Sequence, residues 1–237
     1  MRALEGEMIS RRQLLYFSAL LAIFSPIATI RSFAVAGEKK GNRYPTTLEI
    51  LKDAYWTEII ASEHYDGYCQ KALAENFPNV AYLFFAFKKS ERTHANNYQK
   101  IISSLESTIE QKNISVSIDD TKANLNNAAI KELEKIKEYY PEVLSGLSSE
   151  SHDLAVINCM YSWKSHQQHE KMIRDIKKYS GFFFKYLVKR IEGMNPDYFL
   201  CEICGSIESK KPTIPCEICN YPTSHYHQIK RPILAAV

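Results

Sequence analysis

Glu91 and His94 stand three residues apart, a spacing that places both on one face of a helix. His166 and His169 repeat that spacing further along the chain. The face that carries Glu91 and His94 also carries Val80, Phe84, Phe87, Tyr98 and Ile101, so it is the apolar one. A carboxylate on such a face is costly to bury unless it is paired or coordinated. Glu58 lies beside the apolar stripe of an earlier helical segment, and Glu132 lies on the stripe of a later one. Side chains of ligand type thus converge from four segments, and a cation is the simple way to satisfy them together. A buried network of salt bridges, or helices turned so that these groups meet water, is the alternative.

A second constellation is made of thiols. Cys201 and Cys204 form one Cys-x-x-Cys knuckle, and Cys216 and Cys219 form another. Each knuckle sets two sulfurs on one side of a tight turn, and two knuckles facing each other make a tetrahedral sulfur site. The spacing fits iron or zinc, one ion in all. Two disulfides are the competing arrangement in an exported chain. Cys69 and Cys159 fall in helical segments, and no partner is implied for them.

Long helices are needed to position these groups. Helical spacing of apolar residues predicts a first helix over about 47–75, with Leu48, Leu51, Tyr55, Ile59, Ser62 and Tyr65 on its stripe. The turn Asn76-Phe77-Pro78-Asn79 leads into a second helix over about 79–107. A third, over about 122–147, has Leu125, Ala129, Glu132, Ile136, Tyr139 and Val143 inward, with Pro141 expected to kink or break it. A fourth, over about 150–179, has Leu154, Tyr161, Ser165, His169, Met172 and Ile176 inward, and a short aromatic helix follows. The chain therefore reads as mainly α: a four-helix bundle over 37–194 and a small four-cysteine module over 195–237. With 237 residues, 24% of them charged and a net charge of +3, nothing in the composition argues for a nucleic-acid partner.

The segments Glu58-Ile-Ile-Ala-Ser-Glu-His-Tyr65, Glu91-Arg-Thr-His94, Tyr140-Pro141 and His169-Glu170-Lys171 resemble the rubrerythrin family of ferritin-like proteins. The segment from Tyr198 through His227 resembles the rubredoxin-like domain at the C-terminus of many of its members. The resemblance implies a bundle that binds iron, with Glu58, Glu91, His94, Glu132 and His169 at ligand places. It also implies a single iron at the four cysteines that passes electrons to the bundle. Tyr65 and Tyr140 fall where the family keeps tyrosines near the metal, placed to donate hydrogen bonds to peroxide. Peroxide or another small oxidant, an electron donor not identified by the sequence, and a second copy of the chain are the implied partners. Two places depart. A family carboxylate on the third helix falls on Lys135, and the Glu of the second Glu-x-x-His falls on His166. The bundle then has ligands for one ion, or for two in a histidine-rich variant. Lys135, three residues from Glu132, is expected to point inward and pair with Glu132 or Glu58.

The first 36 residues read as an export signal: Arg11-Arg12, an apolar run from Leu14 to Ile30, and the small-residue pattern Ala34-Val35-Ala36. The arginine pair resembles a twin-arginine signal, which would send a folded, metal-loaded protein to the periplasm. A single N-terminal membrane anchor is the alternative. Replacing Arg11 and Arg12 with Lys is expected to hold the precursor in the cytoplasm, as read by cell fractionation; unchanged export would point to a general secretory signal.

Overall fold

A computed structural model describes residues 43–178 and 184–233. The expected signal, residues 1–36, lies outside the described residues. The chain forms α1 (Pro45–Ala74), α2 (Pro78–Ser104), α3 (Thr121–Glu134), a π-helical turn (Lys135–Tyr139), α4 (Tyr140–Leu147), α5 (Asp153–Lys178) and α6 (Phe184–Gly193). Three short strands follow: β1 (Phe199–Cys201), β2 (Ile207–Glu208) and β3 (Tyr226–Gln228). They form an antiparallel sheet in the order β2-β1-β3, with Leu200 opposite Ile207 on one side and His227 on the other.

The helix starts are set by local chemistry and by distant carboxylates. α1 and α2 each begin at a proline, whose missing N–H costs nothing in the first turn. Glu150 accepts from the backbone N–H groups of Thr46 and Thr47, both at 2.9 Å. Glu192 on α6 does the same for Asn79 and Val80 at 3.0 Å. Asp120 caps α3 by accepting from the Ala123 N–H at 2.8 Å. Between α1 and α2, Asn76 takes a left-handed φ of 62°, so the chain can reverse before Pro78.

The bundle is α1, α2, the α3–α4 pair and α5. Its interior holds two apolar clusters. One gathers Tyr65, Tyr68, Phe84, Phe87, Ala128 and Ile173; the other gathers Leu51, Tyr98, Ile102, Tyr140, Leu147 and Cys159. Along every bundle helix the ligand-type residues fall between members of the two: Glu58 between Leu51 and Tyr65, Glu91 and His94 between Phe87 and Tyr98, Glu132 between Ala128 and Tyr140, and His166 and His169 between Cys159 and Ile173. Two greasy plugs thereby seal a polar layer from either end.

The third helix differs in phase from its sequence pattern. The α-helix is broken beside Pro141, as the sequence implies: α3 ends at Glu134 and α4 begins at Tyr140 with Pro141 in its first turn. The adjustment comes earlier, in the π turn, where the Tyr140 N–H reaches the carbonyl of Lys135, five residues back. Pro141 has no N–H for the carbonyl of Ile136, and the Trp163 indole donates to that oxygen instead, at 2.9 Å. The extra residue in the turn shifts the inward phase. Beyond the turn Tyr140 is buried where the uninterrupted pattern predicts Tyr139, and Lys135, still in α-helical phase with Glu132, is buried in place of Ile136. On α5 the inward row is Ala155, Cys159, Ser162, His166, His169 and Ile173, while Leu154 is 58% exposed. Leu154 lies in the first turn of α5, which starts three residues later than the pattern predicts, at Asp153.

Candidate metal centre

Glu58 from α1, Glu91 and His94 from α2, Glu132 from α3 and His166 and His169 from α5 meet in the sealed layer, each at most 1% exposed. They form two overlapping sets of four donors, and within each set the ligand atoms lie within 4.8 Å of one another. The first set is Glu58, Glu91, His94 and His166; the second is Glu91, Glu132, His166 and His169. Such sets suit a borderline cation such as iron or zinc.

The hydrogen bonds fix each side chain. Tyr65 donates to Glu132 Oε1 at 2.5 Å, and Tyr140 donates to Glu58 Oε1. Tyr98 lies 3.2 Å from the Tyr140 hydroxyl and donates to Ser162 at 2.7 Å. His166 bridges two carboxylates, with Nδ1 at 2.7 Å from Glu132 and Nε2 at 3.1 Å from Glu58. His169 stacks on Phe87 with ring centres 4.5 Å apart. Neither of its ring nitrogens has a hydrogen-bond partner, and neither has Glu91 Oε1. Buried groups left so are rare, and both residues belong to the second set, which fits a metal ion there.

Lys135 enters the first set. Its ammonium donates to Glu58 Oε2 at 2.7 Å, lies 3.4 Å from Glu91 Oε2 and 3.4 Å from His166 Nε2. Of the two partners that the sequence suggests, Glu58 is the one engaged, and Glu91 joins it. The Lys135 N–H still bonds the Lys131 carbonyl with α-helical φ and ψ, so Lys135 reaches inward from the same face as Glu132, three residues before it.

The electrostatics follow from burial. Burial alone would drive the His166 imidazole toward its neutral form, but the carboxylates of Glu91, Glu132 and Glu58 outweigh that and push it up to about 10. Burial works against the ionised Glu132 as well, and the His166 and His169 imidazoles overcome it to hold this carboxyl well below its usual range. Burial raises the Tyr65 and Tyr140 phenols further, so both remain proton donors.

The thiol site lies against this layer. Cys201 Sγ and Cys219 Sγ are 3.7 Å apart, and Cys204 Sγ and Cys216 Sγ are 3.5 Å apart. Arms of ~2.3 Å in a tetrahedron set sulfurs about 3.8 Å apart, whereas a disulfide needs about 2.05 Å. All four thiols are buried and unlinked. Each knuckle is closed by a backbone bond across the turn, Gly205 N to Cys201 O at 2.9 Å and Asn220 N to Cys216 O at 2.8 Å. The residue after each knuckle is left-handed, Gly205 at φ 81° and Asn220 at φ 60°. Asn after a second knuckle is a legible signal for that geometry, and the sequence reading passes over it.

Three consecutive carbonyls of the first knuckle are held by one face of α2. Asn97 donates to Ile203 O at 2.8 Å, His94 Nε2 donates to Cys204 O at 3.1 Å, and Ser90 donates to Gly205 O at 2.6 Å. Ser165 on α5 adds a bond to Cys204 O at 3.0 Å, and Gln168 accepts from the Ile207 N–H at 2.8 Å. Ser90, His94 and Asn97 follow an i, i+4, i+7 pattern, a signal the sequence contains but does not connect to the knuckle. A carbonyl can only accept, so His94 is protonated at Nε2 and turns Nδ1 toward Glu91, 3.3 Å away.

The raised His166 sets a pH dependence. Its proton stabilises the fold fully below about 6.5 and ceases to do so as pH climbs through about 10. In the chain stripped of metal by chelation, the urea midpoint is expected to fall over that interval. His166→Gln should flatten the profile; an equally steep profile in the variant would contradict this.

Comparison with known proteins agrees with this geometry. A sequence profile of the rubrerythrin family matches residues 49–177. Rubrerythrin-2 of Clostridium acetobutylicum is 25% identical over 178 residues, covering 73% of this chain and 91% of that protein. A putative rubrerythrin of Methanocaldococcus jannaschii is 25% identical over 196 residues, covering 76% and 91%. The solved structure of nigerythrin in its fully reduced, all-ferrous state shares the fold, with a TM-score of 0.66 at 20% identity over 88% of this chain and 100% of that one. With its four-helix bundle, its carboxylate–histidine layer and a profile match over more than half its length, the chain belongs to the rubrerythrin family.

Proposed function

We propose that this chain is an exported oxidoreductase in which the four-cysteine site passes electrons to the bundle and the bundle reduces peroxide. One observation carries the reading: the carbonyl of Cys204, a thiol ligand, accepts from His94, whose other nitrogen faces Glu91. The two clusters are thus joined through one side chain and one hydrogen bond. Iron at both places would supply one-electron chemistry. Reducing peroxide to two waters takes two electrons and two protons.

The chain's own residues arrange the rest. A cleft of about 750 Å³ between α1 and α3 is lined by Thr57, Ala61, Tyr65, Glu132 and Lys135. Lys135, 9% exposed, separates the cleft from carboxylates that are shut off from water. A small oxidant entering there meets the Tyr65 hydroxyl and the Lys135 ammonium, both donors. The apolar plugs exclude larger reductants, so electrons reach the layer through His94. Export rests on Arg11-Arg12 and the apolar run behind them; among the described residues no helix is long and apolar enough to cross a membrane. Self-association, a family trait, would have exposed Ile130 and Leu154 available to it.

Lys135 inside the donor layer favours a second reading: a metal-binding or electron-carrying protein without peroxidase turnover. One experiment separates the two. The anaerobically reduced protein is mixed with peroxide while the visible absorption of the four-cysteine iron is followed. Reoxidation within turnover times supports the first reading; none supports the second. A Cβ on Gly205 would sit 2.4 Å from His94 Nε2, so Gly205→Ala must push the knuckle off α2. Reoxidation should then slow roughly 10- to 100-fold with the four-cysteine absorption retained. An unchanged rate would mean that electrons do not cross at this contact.

A further inference from the structure

The two donor sets are not equivalent. In the first, Glu58 Oε2, Glu91 Oε2 and His166 Nε2 all lie within 3.4 Å of the Lys135 ammonium. Glu58 Oε1 is taken by Tyr140, and no polar atom of Glu58, which only the first set contains, is left without a partner. In the second set, Glu91 Oε1 and both nitrogens of His169 are buried without a hydrogen bond. Glu91 Oε1 and His169 Nδ1 face each other at 3.5 Å, and Glu132 Oε2 lies 3.7 Å from the same nitrogen. The first set is a filled cation site whose cation is covalently part of the chain. The second has the unsatisfied donors that a cation needs.

Charge gives the same division. Glu58, Glu91, Glu132 and Lys135 are the buried residues of fixed charge type among the described ones. With the imidazoles neutral, as ligands to a metal must be, three carboxylates against one ammonium leave two negative charges, which one divalent ion cancels. A second divalent ion would turn the pocket two charges positive and would have to share Glu58 with the ammonium. Lys135 lines the cleft between α1 and α3, and its head is held inward by Glu58 and Glu91.

We propose that the Lys135 ammonium stands in for one metal ion, so that the bundle of this chain holds a single ion, at Glu91, Glu132, His166 and His169. The inference rests on the bundle being a metal site and is independent of the oxidant. It keeps the electron count of the proposed reaction: a bundle ion and a four-cysteine ion, each supplying one electron when bound, would together match the two electrons that, with two protons, take peroxide to two waters. Lys135 supplies the fixed positive charge that the missing ion would otherwise provide.

The test is iron content and spin state of the full chain, reconstituted anaerobically with ⁵⁷Fe and then oxidised. We expect about two irons per chain by mass spectrometry of the digested protein, one at the four cysteines and one in the bundle. The Mössbauer spectrum should show two paramagnetic ferric sites of equal area. Lys135→Met, which keeps the length and removes the charge, should take up one further iron. About three irons in the parent chain, or a bundle signal from a coupled diamagnetic pair, would overturn the proposal whether or not the variant folds. A folded Lys135→Met chain that stays at two would also overturn it. A bundle without iron would remove the metal reading itself, whereas one bundle iron that ignores peroxide would remove only the peroxidase reading.

Discussion

The ion pair between Lys135 and Glu58, 2.7 Å long and shut between two apolar plugs, is the interaction on which the other features of the bundle depend. An uncompensated carboxylate in such a layer costs several kcal/mol, roughly the whole net stability of a small domain. Three carboxylates can therefore be kept there only if cations are delivered with them. Part of that delivery is intramolecular: the Lys135 ammonium and the two imidazoles of α5. Lys135 comes inward on the face of Glu132, and the π turn that follows it sets the phase that brings Tyr140 onto Glu58. Buried ion pairs seldom add net stability, but they do fix which arrangement is allowed. Here the register of four helices is tied to one side chain.

The same economy joins the thiol site to the bundle. The first knuckle turns three carbonyls outward, and α2 meets them with Ser90, His94 and Asn97. Gly205 has to be glycine twice over, for its φ of 81° and because His94 occupies the space where a Cβ would sit. His94 serves both places, with Nε2 on the thiol knuckle and Nδ1 on the carboxylate layer. A histidine so oriented is held in one tautomer, and its orientation is set by the four-cysteine module rather than by the bundle. Loss of the knuckle would free the ring and loosen the layer.

Much of this was legible in the residues. The α2 stripe from Val80 to Ile101 is buried as its spacing implies, because a straight amphipathic helix keeps phase over its whole length. The third helix was legible only as far as Glu132. Beyond it the π turn moves the inward positions, and no periodicity contains the instruction to insert a residue; the signal is Pro141 together with Trp163, which is 27 residues away from the carbonyl it serves. Glu150 and Glu192 as caps, and Asn97 as an anchor for the knuckle, were not legible, since each acts on a backbone group about a hundred residues away. Lys135 lay between: its inward aim followed from Glu132, but Glu91 as a second partner comes from the packing of α2, which no local spacing states.

The account's central claim is that an ammonium and a single metal ion share the layer. Anomalous diffraction at the iron edge from crystals of the iron-loaded chain tests it most directly. The account predicts one peak at the four sulfurs, one among Glu91, Glu132, His166 and His169, and ordinary density for the Lys135 ammonium against Glu58. A third peak among Glu58, Glu91, His94 and His166, with Lys135 turned out into the cleft, would contradict it.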